Sequence, residues 1–286
     1  TASGRDVLVK VNAIAVNPVD FKIRQKAINE DGSYKVIGWD AAGEVVAVGE
    51  GVTTFKPGDV VYYAGDLTRQ GSNAEYQLVD ERIVGSKPKS ADSAAQSDEV
   101  ILVVGAAGGV GSILIQLAKA ITGATVIATA SRAASQAWVK SLGADHVVDH
   151  TKPLLPQIEA LGIKQVSHIA SLNGTGSYFD DYPAVLATFG KIAMIDDPAT
   201  PLDVMKLKTK SQSLHIEFMF ARSMYQAADM DEQSKLLTRV ADLVDQGYVK
   251  TTSGKNLGLI NANNLKRAHA ELESGTAIGK IVLQGF

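Results

Sequence analysis

The sequence predicts an α/β protein in which a doubly wound parallel sheet is joined to a β-rich region. From Val100 onward, strand-like and helix-like apolar patterns alternate, which is typical of a parallel sheet covered by helices on both faces. Before residue 86, short strand patterns are separated by glycine and proline turn signals. Between these regions, Lys87–Glu99 is polar and has no apolar face, so we expect a linker there.

Composition narrows the classes of protein that this chain can be. Its 286 residues suffice for one or two domains, and its 45% hydrophobic and 21% charged residues are typical of a globular protein. The net charge is −3 and no long basic run occurs, so we expect no nucleic-acid partner. No apolar run approaches about 20 residues, so we expect no membrane span. The chain has no cysteine, which excludes disulfides and thiolate metal ligands.

The β-rich region begins directly with a strand-like pattern, which we do not expect to be a natural start of a protein. Gly-Glu-Gly and Lys-Pro-Gly-Asp mark turns between its strands. Strands this short, joined by tight turns, suggest a small barrel or sandwich. The strand patterns are VLVKVNAIAV, AAGEVVAVG and DVVYYAG.

The second region continues the alternation of strand and helix to its end. Predicted strands are VILVV, TVIATA, HVV, VSHIASL, KIAMI and, as a sixth, LHIEFMF. Predicted helices are GVGSILIQLAKAI, ASQAWVKSL, LPQIEALG and YPAVLATFG. After about Ala221, two amphipathic helices and a last strand, GKIVL, complete the chain.

A glycine-rich turn lies between the first strand and the first helix of this region. It reads Ala106-x-Gly108-x-x-Gly111, an alanine variant of the dinucleotide-binding fingerprint, within a βαβ unit of about 30 residues. Gly108 would let the backbone approach a pyrophosphate, Gly111 would let the helix pack closely, and the helix N-terminus would attract the phosphates. The alternative is a tight turn without a ligand. The candidate cofactor residues here are Gly105, Ala106, Ala107, Gly108, Gly109, Val110 and Gly111, and the apolar face of the helix is Val110, Ile113, Leu114, Leu117 and Ile121.

The end of the second strand predicts which nucleotide is bound. An NAD site usually has a carboxylate there for the ribose hydroxyls, whereas this chain has Ser131 and Arg132. A hydroxyl and a guanidinium can bind a 2′-phosphate, so we predict NADP(H). Alternatively, Ser131 caps the following helix and Arg132 is a solvated residue of its first turn.

Several motifs together resemble the medium-chain dehydrogenase/reductase superfamily. They are GEVVAVGEGVTTFKPGDVVY, LVVGAAGGVGSILIQLAK, LGADHVVDH and RAHAELESGTAIGKIVL. VNPVDFKIR, GWDAAGEV, GSNAEYQLVDERIVG and FMFARS are similar to the quinone oxidoreductase branch, and most of all to its zinc-type alcohol dehydrogenase-like group. The resemblance implies a GroES-like catalytic domain at 1–98 and 226–286 and a dinucleotide-binding Rossmann domain at 99–225.

The resemblance also indicates that no metal is bound. Zinc enzymes of the superfamily have a cysteine where this chain has Asn17, and a histidine where it has Trp39. His146 and His150 are four residues apart, but no third ligand accompanies them. We therefore expect no metal site, with Trp39 filling the vacated pocket.

The resemblance implies further site residues, each with a structural alternative. Asn17 would hold a carbonyl or a ribose, or be a turn residue before Pro18; Asp20 would orient neighbours, or cap a helix. Tyr63 would donate to an oxyanion, or pack in the core, and Trp39 would stack on a flat substrate. At strand ends, the residues expected beside the nicotinamide are Leu172, Asn173, Ile195, Asp196, Phe218, Met219 and Phe220, with core packing as the alternative.

These inferences predict a zinc-independent reductase that transfers hydride from NADPH to a quinone or an α,β-unsaturated carbonyl. The alternatives are a non-catalytic NADPH-binding structural or regulatory protein on the same fold, and a metal-free alcohol dehydrogenase. We expect a cytoplasmic homodimer, with a small-molecule carbonyl or quinone as substrate. Relatives carry an apolar helical stretch that SADSAAQSDE replaces here, by a true shortening or by omitted residues.

Overall fold

The computed structural model describes residues 1–26, 34–86 and 98–286. Of the predicted linker Lys87–Glu99, residues 87–97 lie outside this description. The strands are β1 (Asp6–Val16), β2 (Asp40–Val48), β3 (Val60–Ala64), β4 (Tyr76–Asp80), β5 (Val84–Ser86), β6 (Val100–Val104), β7 (Thr125–Thr129), β8 (His146–Val148), β9 (Val166–Ser171), β10 (Leu186–Met194), β11 (Ser213–Ile216), β12 (Ser253–Asn256) and β13 (Lys280–Gln284). The α-helices are α1 (Pro18–Lys26), α2 (Gly109–Leu117), α3 (Ala133–Ser141), α4 (Leu154–Ala160), α5 (Thr175–Tyr178), α6 (Tyr182–Val185), α7 (Ala221–Met224), α8 (Glu232–Asp245) and α9 (Ala262–Glu273). Short 3-10 helices span Glu81–Ile83 and Val204–Lys210, and a π-helical turn, Ala118–Thr122, follows α2.

The described residues form two compact units. The β-rich unit takes in the described residues before 87 together with 219–247 and 253–286. The α/β unit takes in 98–218 together with 248–252. Within the described residues, no helix combines the length and apolarity that a bilayer crossing requires.

One seven-stranded sheet organises the β-rich unit. Its order is β12-β13-β1-β2-β3-β5, with β4 paired to β1, and its pairs are antiparallel except for β12 with β13. The long strand β1 alternates buried and open positions, and register shifts beside β2 interrupt the alternation once. Because the register shifts between Val11 and Ala13, Ile14 and Val16 face the same core as Val7 and Val9.

The α/β unit is built on a six-stranded parallel sheet in the order β11-β10-β9-β6-β7-β8. Consecutive residues of β6 enter different cores, since Leu102 packs with one hydrophobic cluster and Val103 with another. Both faces of the sheet are therefore covered, which confirms the doubly wound prediction. The strand order reverses between β6 and β9, since β7 and β8 follow on one side and β10 and β11 on the other, which makes the carboxyl ends of β6 and β9 a topological switch point.

Two sequence predictions in this unit are wrong in extent. YPAVLATFG is helical only to Val185, because Leu186 pairs with Val166 of β9 and its carbonyl accepts hydrogen bonds from Lys210 and Gln212. These tertiary contacts outweigh the local helical pattern. The predicted strand LHIEFMF is a strand only over Ser213–Ile216.

Helix α2 buries a different face from the apolar one that the sequence marks. Its buried residues are Gly111, Ser112, Ile115 and Gln116. Val110 and Ile121, at the two ends of the predicted apolar face, are 48% and 47% exposed. Gly111 faces the turn because the helix packs closely on it, while Ile115 joins the hydrophobic core, so close approach and hydropathy together decide the buried face.

Candidate functional site

The glycine-rich turn after β6 is held by its own backbone and by the side chain of Thr129. Gly105 has a φ of +79°, a conformation that favours glycine, and its N–H donates to Thr129 Oγ1 over 3.2 Å. The N–H of Gly108 returns to the carbonyl of Gly105 over 3.2 Å, and α2 begins directly afterwards. The turn therefore delivers the chain from the end of a parallel strand straight into a helix N-terminus.

The two fingerprint glycines are required for different reasons. A Cβ at Gly111 would lie 2.4 Å from the carbonyl oxygen of Ala106, so only glycine allows α2 to approach the turn this closely. Among the described residues, a Cβ at Gly108 would meet only the carbonyl oxygen of Gly105, at 3.4 Å, and would otherwise enter open space. That space lies at the helix N-terminus, where the first N–H groups have no partner within the helix. The turn therefore fits a pyrophosphate.

The carboxyl end of β9 lies beside this turn. The N–H of Leu172 donates to the carbonyl of Val104 over 3.1 Å, and a Cβ at Gly105 would lie 3.3 Å from the Cβ of Asn173. Asn173 is exposed and Leu172 is half-buried. The structure thus brings both residues to the glycine-rich turn, as open α/β sheets do at their ligand sites.

Asp196, at the end of β10, has its carboxylate engaged. One oxygen accepts the N–H of Thr175 over 2.9 Å, and the other accepts the hydroxyl of the same residue. Ser171 links that hydroxyl to the phenol of Tyr182, with 2.7 Å on each side. Asp196 therefore holds the turn after β9 in place, a role that the sequence did not suggest. Its neighbour Ile195 is 39% exposed.

The end of β7 carries the two residues predicted to bind a 2′-phosphate. Arg132, not Ser131, is the N-cap of α3, so the capping alternative for Ser131 is wrong. Ser131 Oγ lies 3.2 Å from His150 Nε2, and His150 Nδ1 lies 3.1 Å from the Tyr178 hydroxyl. Arg132 is exposed. The Ser131 hydroxyl and the His150 imidazole thus meet at this strand end, and Arg132 is the next residue of the chain; a hydroxyl and a guanidinium of this kind fit a phosphate group.

The three remaining strand-end candidates belong to different units: Phe218 is part of the α/β unit, and Met219 and Phe220 are part of the β-rich unit. Phe218 and Met219 are 49% and 57% exposed, and Phe218 ends the main segment of the α/β unit. Phe220 belongs to the β-rich unit, where it is buried against Trp39 with ring centroids 6.4 Å apart and an edge-on geometry. Phe220 is thus a core residue of that unit.

A polar cluster in the β-rich unit contains Asn17, Asp20, Asp40 and Lys280. Asn17 precedes α1, and its backbone N–H donates to Asp20 Oδ2 over 2.8 Å, which is one half of a capping box. Lys280 donates to Asn17 Oδ1 and, over 3.0 Å, to Asp40 Oδ2. The sequence analysis missed Lys280. The sequence signal that could have indicated it is a lysine at the first position of a strand whose next residues are apolar.

Asp20 is 1% exposed, and its Oδ1 has no hydrogen-bond partner among the described residues. Burial is the main reason that its pKa rises from 3.8 to about 7; the Asn17 N–H opposes the rise, and the charge of Asp40 adds to it. Asp20 therefore carries a proton over much of the acidic range.

Trp39 and Tyr63 are both interior residues. Trp39 is fully buried, and its indole nitrogen has no hydrogen-bond partner in the part of the chain that the structure describes. Tyr63 is 2% exposed and donates its hydroxyl to Gln77 over 2.9 Å. Burial raises the pKa of the Tyr63 phenol well above its usual value. The hydroxyl that was expected to meet an oxyanion is therefore occupied within the core.

The cluster does not fit zinc. Asn17 Oδ1 already accepts from the Lys280 ammonium, and the indole of Trp39 offers a donor but no metal-binding lone pair. Within the described ranges, no three His, Cys, Asp or Glu side chains are grouped as metal ligands.

Family models match two parts of the chain. Residues 3–89 match the alcohol dehydrogenase GroES-like domain, and residues 142–283 match the zinc-binding dehydrogenase model. A zinc-type alcohol dehydrogenase-like protein of Staphylococcus aureus (strain MSSA476) is 36% identical over 310 residues, covering 99% of this chain and 92% of that protein. The chain belongs to the medium-chain dehydrogenase/reductase superfamily. It is accordingly an oxidoreductase with a Rossmann-like sheet and a GroES-like domain, as its motifs predicted.

Two further proteins are similar to this chain, one in structure and sequence and the other in sequence over about half of its length. The crystal structure of a putative zinc-dependent alcohol dehydrogenase protein from Rhizobium etli CFN 42 has a TM-score of 0.94 and 46% identity, covering 100% of this chain and 91% of that chain. An NADPH-dependent alkenal/one oxidoreductase, chloroplastic, of Arabidopsis thaliana is 40% identical over 174 residues, which is 51% of this chain and 45% of that protein.

Proposed function

We propose that this oxidoreductase is an NADPH-dependent, zinc-independent reductase of quinones or α,β-unsaturated carbonyls. The observation that carries the proposal is the open backbone position at Gly108, in front of the N-terminus of α2. A pyrophosphate fits there because backbone N–H groups and the helix dipole both favour an anion.

The choice of NADPH over NADH rests on the end of β7. Ser131 and Arg132 supply a hydroxyl and a positive charge, and Ala130-Ser131-Arg132 contains no carboxylate to repel a 2′-phosphate. His150, in contact with Ser131, extends the same polar surface. The Arabidopsis protein named above as NADPH-dependent supports this choice by similarity.

The proposed roles of the residues follow from their environments. NADPH supplies a hydride to the substrate when it is bound. The glycine-rich turn would hold its pyrophosphate, and Ser131 and Arg132 would hold its 2′-phosphate. Asn17 would donate a hydrogen bond to the oxygen on which negative charge develops. Tyr63 is not assigned this role, because its hydroxyl already donates to Gln77.

Turnover by chelator-treated protein tests the proposal. The purified chain is incubated with EDTA, freed of chelator, and assayed for NADPH consumption with a panel of quinones and enones. We expect steady consumption that matches the untreated protein. Loss of activity that zinc restores would contradict the metal-independent proposal. Tight NADPH binding without turnover across the panel would favour the non-catalytic alternative.

We also propose that the protein is a homodimer. The strand β11 lies at one edge of the parallel sheet, and Ile216 at its end is 73% exposed. An open edge with an exposed apolar residue favours pairing with another strand. Light scattering during gel filtration should give twice the mass of one chain, and a mass of one chain would contradict the proposal.

A further inference from the structure

Strand register brings Lys280 to Asn17. In the antiparallel pair of β1 with β13, Val16 lies opposite Ile281. One more step along each chain places Asn17 opposite Lys280, which is where the ammonium donates to Asn17 Oδ1. The contact joins residues 263 positions apart, so the sheet itself creates it.

Asp40 holds the ammonium in this position. It lies at the start of β2, opposite Ala15 of β1, and its Oδ2 is 3.0 Å from Lys280 Nζ. The two side chains are each 25% exposed. Lys280 is therefore fixed from two neighbouring strands, by an anion on one side and an amide oxygen on the other.

This arrangement decides how the amide of Asn17 is oriented. A lysine ammonium can only donate, so the atom that faces Lys280 must be the amide oxygen. The amide nitrogen then lies on the other side, where one of its hydrogens reaches the carbonyl oxygen of Ala15 over 3.3 Å. Since the nitrogen carries two hydrogens, a second N–H can donate to a ligand. Asn17 is half-buried, so that N–H is not sealed in the core.

We propose that Lys280 is a positioning residue that fixes Asn17 as a hydrogen-bond donor toward bound ligands. With the amide oxygen held by the ammonium, Asn17 recognises an oxygen acceptor, either the carbonyl of a substrate or a ribose hydroxyl of the cofactor. A ligand that can only donate a hydrogen bond would have to share the amide oxygen with the Lys280 ammonium. The inference rests on the proposed function in giving Asn17 a ligand to bind.

Three variants test the proposal by turnover with an enone. Lys280→Met should lower kcat roughly 10- to 100-fold, the effect of losing one hydrogen bond to developing charge. Lys280→Arg should restore most of the activity, because a guanidinium also only donates. Asn17→Asp should lower kcat as much as Lys280→Met does, because a carboxylate donates no hydrogen bond. This loss is expected even though the new carboxylate can still pair with Lys280. If Asn17 served only the structure, Asn17→Asp would remain active.

A double variant and a control separate positioning from general damage. Lys280→Met combined with Asn17→Ala should be no less active than Asn17→Ala alone, because Lys280 acts through Asn17. Lys255→Met is the matched control and should leave kcat unchanged, since Lys255 lies on the neighbouring strand β12 and pairs with Glu271 of α9. Additive losses, or wild-type kcat in Lys280→Met, would overturn the proposal.

A readout independent of turnover distinguishes failure of this inference from failure of the proposed function. In ¹⁵N-labelled protein without cofactor, Lys280→Met should shift the side-chain amide signal of Asn17, whereas Lys255→Met should not. If the wild type turns over no carbonyl yet the signal shifts, the proposed function fails and the fixed amide stands. An unshifted signal overturns the inference even where turnover is present. Thermal unfolding confirms that each variant folds, and Asn17→Asp supplies the test if Lys280→Met does not.

Discussion

The glycine-rich turn of the α/β unit and the polar cluster of the β-rich unit differ in the chemical groups that they offer to a ligand. The turn offers backbone groups, and its geometry depends on missing side chains, since a Cβ at Gly111 would lie 2.4 Å from Ala106. The cluster offers side chains, and its geometry depends on one charge, the ammonium of Lys280 between Asn17 and Asp40. We therefore expect the turn to be sensitive to volume and the cluster to be sensitive to charge and pH.

The largest expected effect tests the sensitivity to volume. Gly111→Ala should destabilise the protein by about 3 kcal/mol, because the added Cβ meets backbone that cannot move aside. Gly108→Ala is the matched control, since its Cβ meets the Gly105 carbonyl oxygen at ordinary contact distance and no other described atom within 4 Å. Urea denaturation should leave Gly108→Ala near wild type while its NADPH affinity falls. Equal stability of the two variants would show that close packing at Gly111 does not determine the stability of the turn.

A smaller effect tests which charges meet the cofactor. Arg132→Ala should weaken NADPH binding by about 1.5–3 kcal/mol, the contribution of a charge-assisted hydrogen bond, and leave NADH binding unchanged. Fluorescence titration measures both affinities. An equal loss for the two nucleotides would show that Arg132 does not contact the 2′-phosphate. The cofactor would then be held at this end by backbone groups alone.

Asp20 tests the pH sensitivity of the cluster. Its pKa is about 7 in the folded protein and 3.8 in the unfolded chain, so the folded state binds more protons between these values. Stability should therefore fall as pH rises from about 4 to 7, by about 1.4 kcal/mol per pH unit at most. Asp20→Asn should remove this slope, as measured by urea denaturation across that range.

Asp80 gives the matched control for that slope. Burial opposes ionisation of Asp80, but the hydrogen bonds and charge of Arg82 hold its pKa below the usual value. Asp80→Asn should therefore lose stability that is present near neutral pH and disappears as pH falls through the acid range. If Asp20→Asn and Asp80→Asn change the slope in the same direction, the assignment of Asp20 is wrong.

The smallest effect concerns Ser131. Its hydroxyl is shared with His150, so Ser131→Ala should cost less than Arg132→Ala, about 0.5–1.5 kcal/mol in NADPH affinity, the net range for a typical hydrogen bond. Titration with NADH is the control, which we expect to be unaffected. A change in NADH affinity of the same size would indicate that Ser131 meets the shared part of the nucleotide.

The two sites also differ in how far the sequence predicted them. The turn lies within seven consecutive residues between a strand and a helix, so local pattern sufficed, as it did for the parallel sheet. The contact of Lys280 with Asn17 depends on the register of β1 with β13, which no local pattern reveals. For the same reason the sequence missed the hold of Asp196 on Thr175, and misjudged where YPAVLATFG becomes strand. Strand pairing brings such residues together, whereas periodicity reports only on neighbours along the chain.

The relative affinity of NADPH and NADH for chelator-treated wild-type protein tests the central claim most directly. Calorimetric titration of both nucleotides into the same preparation gives this ratio. We predict that NADPH binds at least about tenfold more tightly, because one charge-assisted hydrogen bond to the 2′-phosphate is enough for that difference. Equal affinities, or no binding of either nucleotide until zinc is added, would contradict the account.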